Sequence, residues 1–180
     1  EKSKDSDNEK NKFGEKFKKD EAKNDTTKSG SIKSGVIKSK RALENIVNEN
    51  IGYIKSIAPN VHCLTNVVTM QDVANMLLAA GGSAIMAQDI KEMEEITQIT
   101  SATLLNMGVP SDEKIAAYIA AGKCANKLGH PVIFDPVGVG ASNYRKKCAN
   151  DILANVYPDI IRCNQEEAKV LLEFKNFGRE

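Results

Sequence analysis

Asp135-Pro136-Val137-Gly138-Val139-Gly140-Ala141 sets a carboxylate ahead of two glycines one residue apart. A carboxylate followed by backbone free to approach a ligand closely suits a magnesium–nucleotide or phosphoryl-acceptor site. The same acid also reads as a turn residue capping a helix that begins near Ser142, and the motif alone leaves both readings open. A second segment, Arg162-Cys163-Asn164-Gln165-Glu166-Glu167, pairs a guanidinium with a carboxylate five residues on. Arg162 offers a fork of donors to phosphate oxygens. Asn164 and Glu167 are three apart and share a face of a first helical turn, so Glu167 can orient a metal-bound water. They also make a capping box, and both roles can hold at once.

Other chemistries lack their residues. Gly138-x-Gly140 starts a dinucleotide fingerprint, but Asn143 stands where the third glycine belongs. No Gly-Lys-Ser/Thr triplet exists for a phosphate-binding Walker loop. The cysteines, Cys63, Cys124, Cys148 and Cys163, form no Cys-x-x-Cys pair, and His62 and His130 give no zinc spacing. His62 precedes Cys63 on an apolar run and reads as a satisfied core histidine. The five methionines scatter without forming a stripe. Met86 stands out because it falls at a strand end, where a soft side chain can pack on a sulfur heterocycle.

The pattern of apolar residues shows what must hold these groups in place. Leu43, Ile46, Val47, Ile51 and Ile54 recur at helical spacing over 40–57, and Pro59 ends that helix. Short apolar runs then alternate with amphipathic ones. Strands are expected at 61–65, 83–86, 102–105, 131–134 and 159–161. Helices are expected from Thr69, as N-cap with Asp72 three residues on, to Ala80; from Asp89 to Ile99; from Ser111 to Leu128; from Ser142 to Asn155; and from Asn164 onward. Such alternation predicts an α/β fold of three layers, a mainly parallel sheet covered by helices on both faces. Ligands of open parallel sheets bind outside the carboxyl ends of the strands. There the sequence places Thr65-Asn66, Met86, Asn106-Met107-Gly108, Asp135 with its glycines, and Arg162 to Asn164.

The 180 residues carry 25 Lys+Arg against 24 Asp+Glu, with 41% apolar residues. Residues 1–38 hold eleven lysines, eight acids and few large apolar side chains. That stretch is expected to be a disordered low-complexity extension, because it cannot bury enough surface to offset chain entropy. Its charges are mixed and have no aromatic interleaving, so no nucleic-acid partner is expected. No run of 18 apolar residues exists for a membrane span. Isolated cysteines on apolar segments suit a reduced, cytoplasmic protein.

Val61-His62-Cys63-Leu64-Thr65-Asn66-Val67-Val68-Thr69 and Ala79-Ala80-Gly81-Gly82-Ser83-Ala84-Ile85-Met86-Ala87 resemble the opening motifs of hydroxyethylthiazole kinases. The Asp135–Ala141 and Arg162–Asn164 motifs follow in that family's order and spacing, and the resemblance covers about Pro59 to Glu173. It implies a ribokinase-like domain over 39–180. It implies transfer of the ATP γ-phosphoryl group to the hydroxyl of 4-methyl-5-(2-hydroxyethyl)thiazole in thiamine salvage, with Mg2+, in a homotrimer whose sites lie between subunits. Carried over by motif, Asn66, Val68 and Met86 face the thiazole, Arg162 and Asn164 the nucleotide, and Asp135 with Glu167 the magnesium. Cys163 stands where the family has glycine, which is expected to crowd the nucleotide edge. The resemblance stops short of the family's glycine-rich anion hole and hydroxyl-activating position, so no catalytic residue is assigned. The chain as given is expected to be a C-terminally truncated, inactive fragment. The alternatives are another ribokinase-fold small-alcohol kinase and a catalytically dead binding or assembly subunit.

Overall fold

The computed structural model describes residues 40–174. The expected extension at 1–38 lies outside the described residues. Six α-helices and five strands follow in strict alternation after the first helix: α1 Lys40–Ile57, β1 Asn60–Leu64, α2 Met70–Ala80, β2 Ser83–Ile85, α3 Met93–Gln98, β3 Ala102–Asn106, α4 Asp112–Leu128, β4 Val132–Asp135, α5 Asn143–Leu153, β5 Ile160–Ile161 and α6 Gln165–Leu172. Single 3-10 turns, Ile90–Glu92 and Val139–Ala141, precede α3 and α5.

The sheet has the order β2-β1-β3-β4-β5, with every pairing parallel. A parallel connection is right-handed almost without exception. The step from β1 to β2 runs one way along the sheet, and every later step runs the other way. The rule therefore sets α2 on one face and α3, α4 and α5 on the opposite face. Contacts of α3 with α4 and of α4 with α5 agree with this, and the predicted three-layer α/β architecture is what the chain adopts. On the α4 side the core is dense. Leu64, Leu105, Val132 and Phe134 from the strands and Met93, Ile152 and Val156 from the helical layer are fully buried. On the other side, α2 buries no residue completely, and Met76 and Leu78 are exposed.

Local chemistry explains most boundaries. Ser111 Oγ accepts from Lys114 N–H to open α4, and Gly129 closes it with φ 70°. Gly81, at φ 96°, ends α2 with its N–H on the last carbonyls. One expected cap is absent. Thr69 starts α2 in helical conformation without a side-chain cap, and its hydroxyl lies 3.3 Å from Thr65 Oγ1 instead. Asn66 Oδ1 accepts from the N–H groups of Val68 and Thr69 at 3.0 and 3.3 Å, which orders the turn leading into the helix. The helix expected from Asp89 is a 3-10 turn followed by the short α3, because Asp89 accepts from Lys91 N–H, only two residues on.

His62 is fully buried on β1. Its Nε2 lies 3.3 Å from Ala87 O, which can only accept, so Nε2 carries the proton. Nδ1 then accepts from the Thr97 hydroxyl at 3.0 Å. This is the satisfied core histidine read from the sequence. Burial lowers its pKa below the usual 6.5, against smaller upward pulls from the Ala87 carbonyl and Glu92. The neutral ring is therefore the folded form. The stability it contributes is complete above pH 6.5 and is lost as pH falls from there through the lowered folded value. Across that window each pH unit removes up to about 1.4 kcal/mol. A melting curve series from pH 7.5 to 5 should fall more steeply for the native chain than for His62→Gln. Parallel slopes would show that His62 is not the titrating group.

Candidate active site

The carboxyl ends of β1, β3 and β4 deliver Asn66, Asn106 and Asp135 to one edge. A cleft of about 840 Å3 opens over them. Its other wall is a single face of α2, where Thr69, Asp72, Val73, Asn75, Met76 and Ala79 follow at three- and four-residue intervals. Val137 and Arg162 complete the lining. The floor is polar and the wall largely apolar, the usual composition of a small-molecule site.

Asp135 is 7% exposed. Its Oδ2 accepts from Asn106 Nδ2 at 2.8 Å and from Arg162 Nη1 at 3.2 Å. Its Oδ1 is buried and has no hydrogen-bond partner among the described residues. Burial raises the Asp135 pKa above the ordinary carboxylate value, Arg162 and Asn106 oppose that rise, and Glu167 adds to it. Arg162 is the largest of the opposing influences, although its side chain is 76% exposed and water screens the pair. A buried oxygen without a partner, in a cleft, is a place for a cation or a donor to bind.

The other expected phosphate element behaves differently. Gly138 takes φ 66°, which favours glycine. The N–H groups of Val137, Val139 and Ala141 bond to Asp135, Pro136 and Gly138 carbonyls, and Gly138 N–H donates to Glu167 Oε1 at 2.8 Å. Four of the donors expected to wrap a phosphate are thus already used within the protein. Nor does Asp135 cap the following helix, since Ser142 Oγ accepts from Arg145 N–H to open α5.

Glu167 holds this loop to α6. Its Oε2 accepts from Asn164 N–H and its backbone N–H donates to Asn164 Oδ1, both at 2.9 Å, which completes the expected capping box. A second, smaller hollow of about 400 Å3 lies between Gly138, Gly140, Asn164 and Glu167. Cys163 is exposed and lines neither hollow.

Of the residues singled out in the sequence, the cleft therefore brings together Asn66, Asp135 and Arg162. Asn164 and Glu167 border the adjoining hollow. Val68, 79% exposed, and Met86, half-buried just past β2, lie outside the lining of both. Asn106 was visible only as one polar strand end among several. The α2 face was hidden because Thr69 and Asp72 read as a cap. Their common spacing with Val73, Met76 and Ala79 was the available signal.

As to magnesium, no group of three His, Cys, Asp or Glu side chains is placed to hold a metal among the described residues. Magnesium sites built with substrate phosphates need only one or two carboxylates. Asp135 Oδ1 fits that requirement. Glu167, with both oxygens already accepting from backbone, fits as an orienting group.

Two further residues hold the edge in shape. Arg145, from the first turn of α5, donates to Val137 O at 2.8 Å, Gly108 O at 2.9 Å and Met107 O at 3.3 Å, tying the loops after β3 and β4 together. Gly108 has to lack a side chain. A Cβ there would overlap Asn66 Nδ2, and would sit 2.8 Å from Asn66 Cγ and 3.0 Å from Asn106 Oδ1. Gly108→Ala should therefore displace the Asn66 amide and lower stability by about 1–3 kcal/mol in chemical denaturation. An unchanged midpoint would mean that the loop relaxes freely.

A three-layer parallel α/β protein with a cleft over the carboxyl ends of its strands belongs to a class in which small ligands bind at that edge. The hydroxyethylthiazole kinase family model matches residues 51–179, and the chain belongs to that family. Over 118 residues it is 52% identical to a hydroxyethylthiazole kinase of Clostridium botulinum (strain Alaska E43 / Type E3), covering 66% of this chain and 42% of that protein. Over 126 residues it is 47% identical to one from Clostridium acetobutylicum, covering 70% and 46%. The chain thus spans under half the length of these curated relatives. A solved structure of a hydroxyethylthiazole kinase protein from Pyrococcus horikoshii OT3 superposes with a TM-score of 0.68 at 33% identity, covering 72% of this chain and 51% of that one. Among the described residues no helix is long and apolar enough to cross a membrane.

Proposed function

We propose that the chain contributes to an ATP-dependent kinase that phosphorylates the hydroxyl of hydroxyethylthiazole, in thiamine salvage. The observation that carries this reading is the cleft residue Asp135, with Oδ2 held by Asn106 and Arg162 and Oδ1 buried without a partner among the described residues. Family membership supplies the substrate, and its relatives' names give the activity.

Asn66, at one end of the cleft floor, is the thiazole contact; the resemblance adds Val68 and Met86, which lie outside the cleft lining. Arg162 swings on the exposed side and meets nucleotide phosphates as a bidentate donor, with Asn164 behind it. Magnesium, bound through Asp135 Oδ1 with Glu167 orienting its water, would neutralise charge on the transferring phosphates. Asn106 and Arg162 both donate to Asp135 Oδ2, which favours the ionised carboxylate against the upward pull of burial. Phosphoryl transfer depends on such positioning and charge placement more than on covalent chemistry by the protein.

The homotrimer belongs to the same reading. Val67, Val68 and Met76, at 70%, 79% and 73% exposure, present apolar surface that a neighbouring subunit would cover. A cytoplasmic location fits four cysteines that are all free.

The test is a chimera in which residues 59–173 replace the matching segment of the Clostridium botulinum relative. ATP-dependent phosphorylation of hydroxyethylthiazole is then followed by product formation. Turnover comparable to the parent supports the reading. A chimera that folds and assembles like the parent yet makes no product sinks it.

A further inference from the structure

Asn66, Asn106 and Asp135 sit on three neighbouring strands and form one unbroken row of hydrogen bonds across the sheet edge. Asn66 Nδ2 donates to Asn106 Oδ1, and Asn106 Nδ2 donates to Asp135 Oδ2, both at 2.8 Å. The direction of the row is fixed by backbone. An N–H can only donate, so the Asn66 oxygen must be the atom facing the N–H groups of Val68 and Thr69. The Asn106 oxygen, likewise, must face Gly108 N–H at 3.0 Å. Each amide nitrogen is thereby turned toward the next strand, and the row ends on a carboxylate, which can only accept. Neither amide can flip without leaving two donors facing each other in a buried place. Asn106 is held further by the backbone on its own strand, where Tyr118 Oη donates to Asn106 O at 2.9 Å.

We propose that Asn106 is a positioning residue that couples Asn66, at the substrate end of the cleft, to Asp135, at its phosphate end. The roles of the two ends rest on the kinase reading above; the row between them does not. Hydrogen bonds in series polarise one another, and a charged acceptor at the end strengthens each link. A change of charge at Asp135, or engagement of its free Oδ1, is therefore felt at Asn66, two strands away. An aspartate at 106 would set a second carboxylate against Asp135, and a serine is too short to span both neighbours. Asparagine is the residue that donates on one side while accepting on the other.

The row can be tested without ligand on the 15N-labelled 180-residue chain, by following the side-chain amide resonance of Asn66. Asp135→Asn removes the charge but leaves an oxygen for Asn106 to meet. It is expected to shift the Asn66 amide in the native background and to leave it unmoved in Asn106→Ala. Where Asn106→Ala lowers folding stability too far, Asn106→Ser replaces it; Asp135→Ala serves as a second perturbation. Equal shifts with and without Asn106, or no shift in either, would overturn the coupling.

Titration of magnesium–ADP and of hydroxyethylthiazole then separates the inference from the reading beneath it. In the chimera, magnesium–ADP is expected to tighten hydroxyethylthiazole binding about fivefold or more, with no effect in its Asn106→Ala variant. The same tightening in both proteins would sink the relay and leave the kinase reading standing. Failure of either compound to bind the folded chimera, beside a ligand-free shift that needs Asn106, would sink the kinase reading and leave the relay.

Discussion

Asp135→Asn lowers turnover of hydroxyethylthiazole in the chimera by about a hundredfold to a thousandfold, while the protein melts at or slightly above the native temperature. The two halves of this result have separate causes. Activity falls because the substitution removes the charge at the cleft's one free buried carboxylate oxygen. Losing a preorganised electrostatic group of this kind typically lowers kcat by that factor, about 2.7–4 kcal/mol of barrier. Stability holds because Asn is isosteric and its oxygen still accepts from Asn106 Nδ2. A carboxylate kept in a site that raises its pKa is itself a burden on the fold, relieved by the neutral amide. Asp135→Ala separates the effects further. It leaves the Asn106 amide without an acceptor, so about 1–3 kcal/mol of stability should go with the activity. Steady-state kinetics beside a thermal melt measures both. Full activity in Asp135→Asn would remove the carboxylate from the mechanism and the central observation from the functional reading. Loss of activity accompanied by a collapse in melting temperature would reassign Asp135 to structure.

The parts of the fold that could be read from the sequence are those governed by local chemistry. Gly81 and Gly129 announced helix ends because those positions need left-handed backbone, and Ser111 announced a start because its hydroxyl reaches three residues on. The apolar runs announced strands because a sheet covered on both faces needs apolar residues throughout. Thr69 misled because its sequence context is a cap, while in the fold its hydroxyl turns to Thr65 and Asn66 orders the turn before the helix. The same limit applies to the site. Asp135 stood out as a carboxylate ahead of a glycine pair, and Arg162 and Glu167 as charged groups where a strand gives way to a helix. Asn106 did not, because its importance lies in contacts to residues 40 positions earlier and 29 later. The Gly138 loop looked like a phosphate cradle as a string of residues. Only the fold shows that Glu167, 29 residues on, has taken its Gly138 donor.

Phe134→Ala should have the largest effect on folding, a loss of about 3–5 kcal/mol in denaturant titration, and a fall in melting temperature on the order of 10 °C. Phe134 is the largest of the fully buried side chains. It lies on β4, which pairs with β3 on one side and β5 on the other, in register with Leu105 and Ile161. Truncation there removes a ring from between the sheet and its helical layer, and neighbours tied into a sheet on both sides have little freedom to collapse into the space. Phe134→Leu refills most of the volume and should lose no more than about 1.5 kcal/mol. The position also ties stability to function, since Phe134 immediately precedes Asp135. Its own carbonyl accepts from Arg162 N–H at 2.9 Å, so both ends of the Asp135–Arg162 pair are set by this one residue's backbone. A cavity beneath it should therefore loosen the site before the protein unfolds. In the chimera, Phe134→Ala is expected to lose activity at temperatures where its circular dichroism is still native, and Phe134→Leu to keep both. A loss below about 1 kcal/mol in Phe134→Ala would mean that β4 is not tightly packed against the helical layer, and the site built on its end would have to be redrawn.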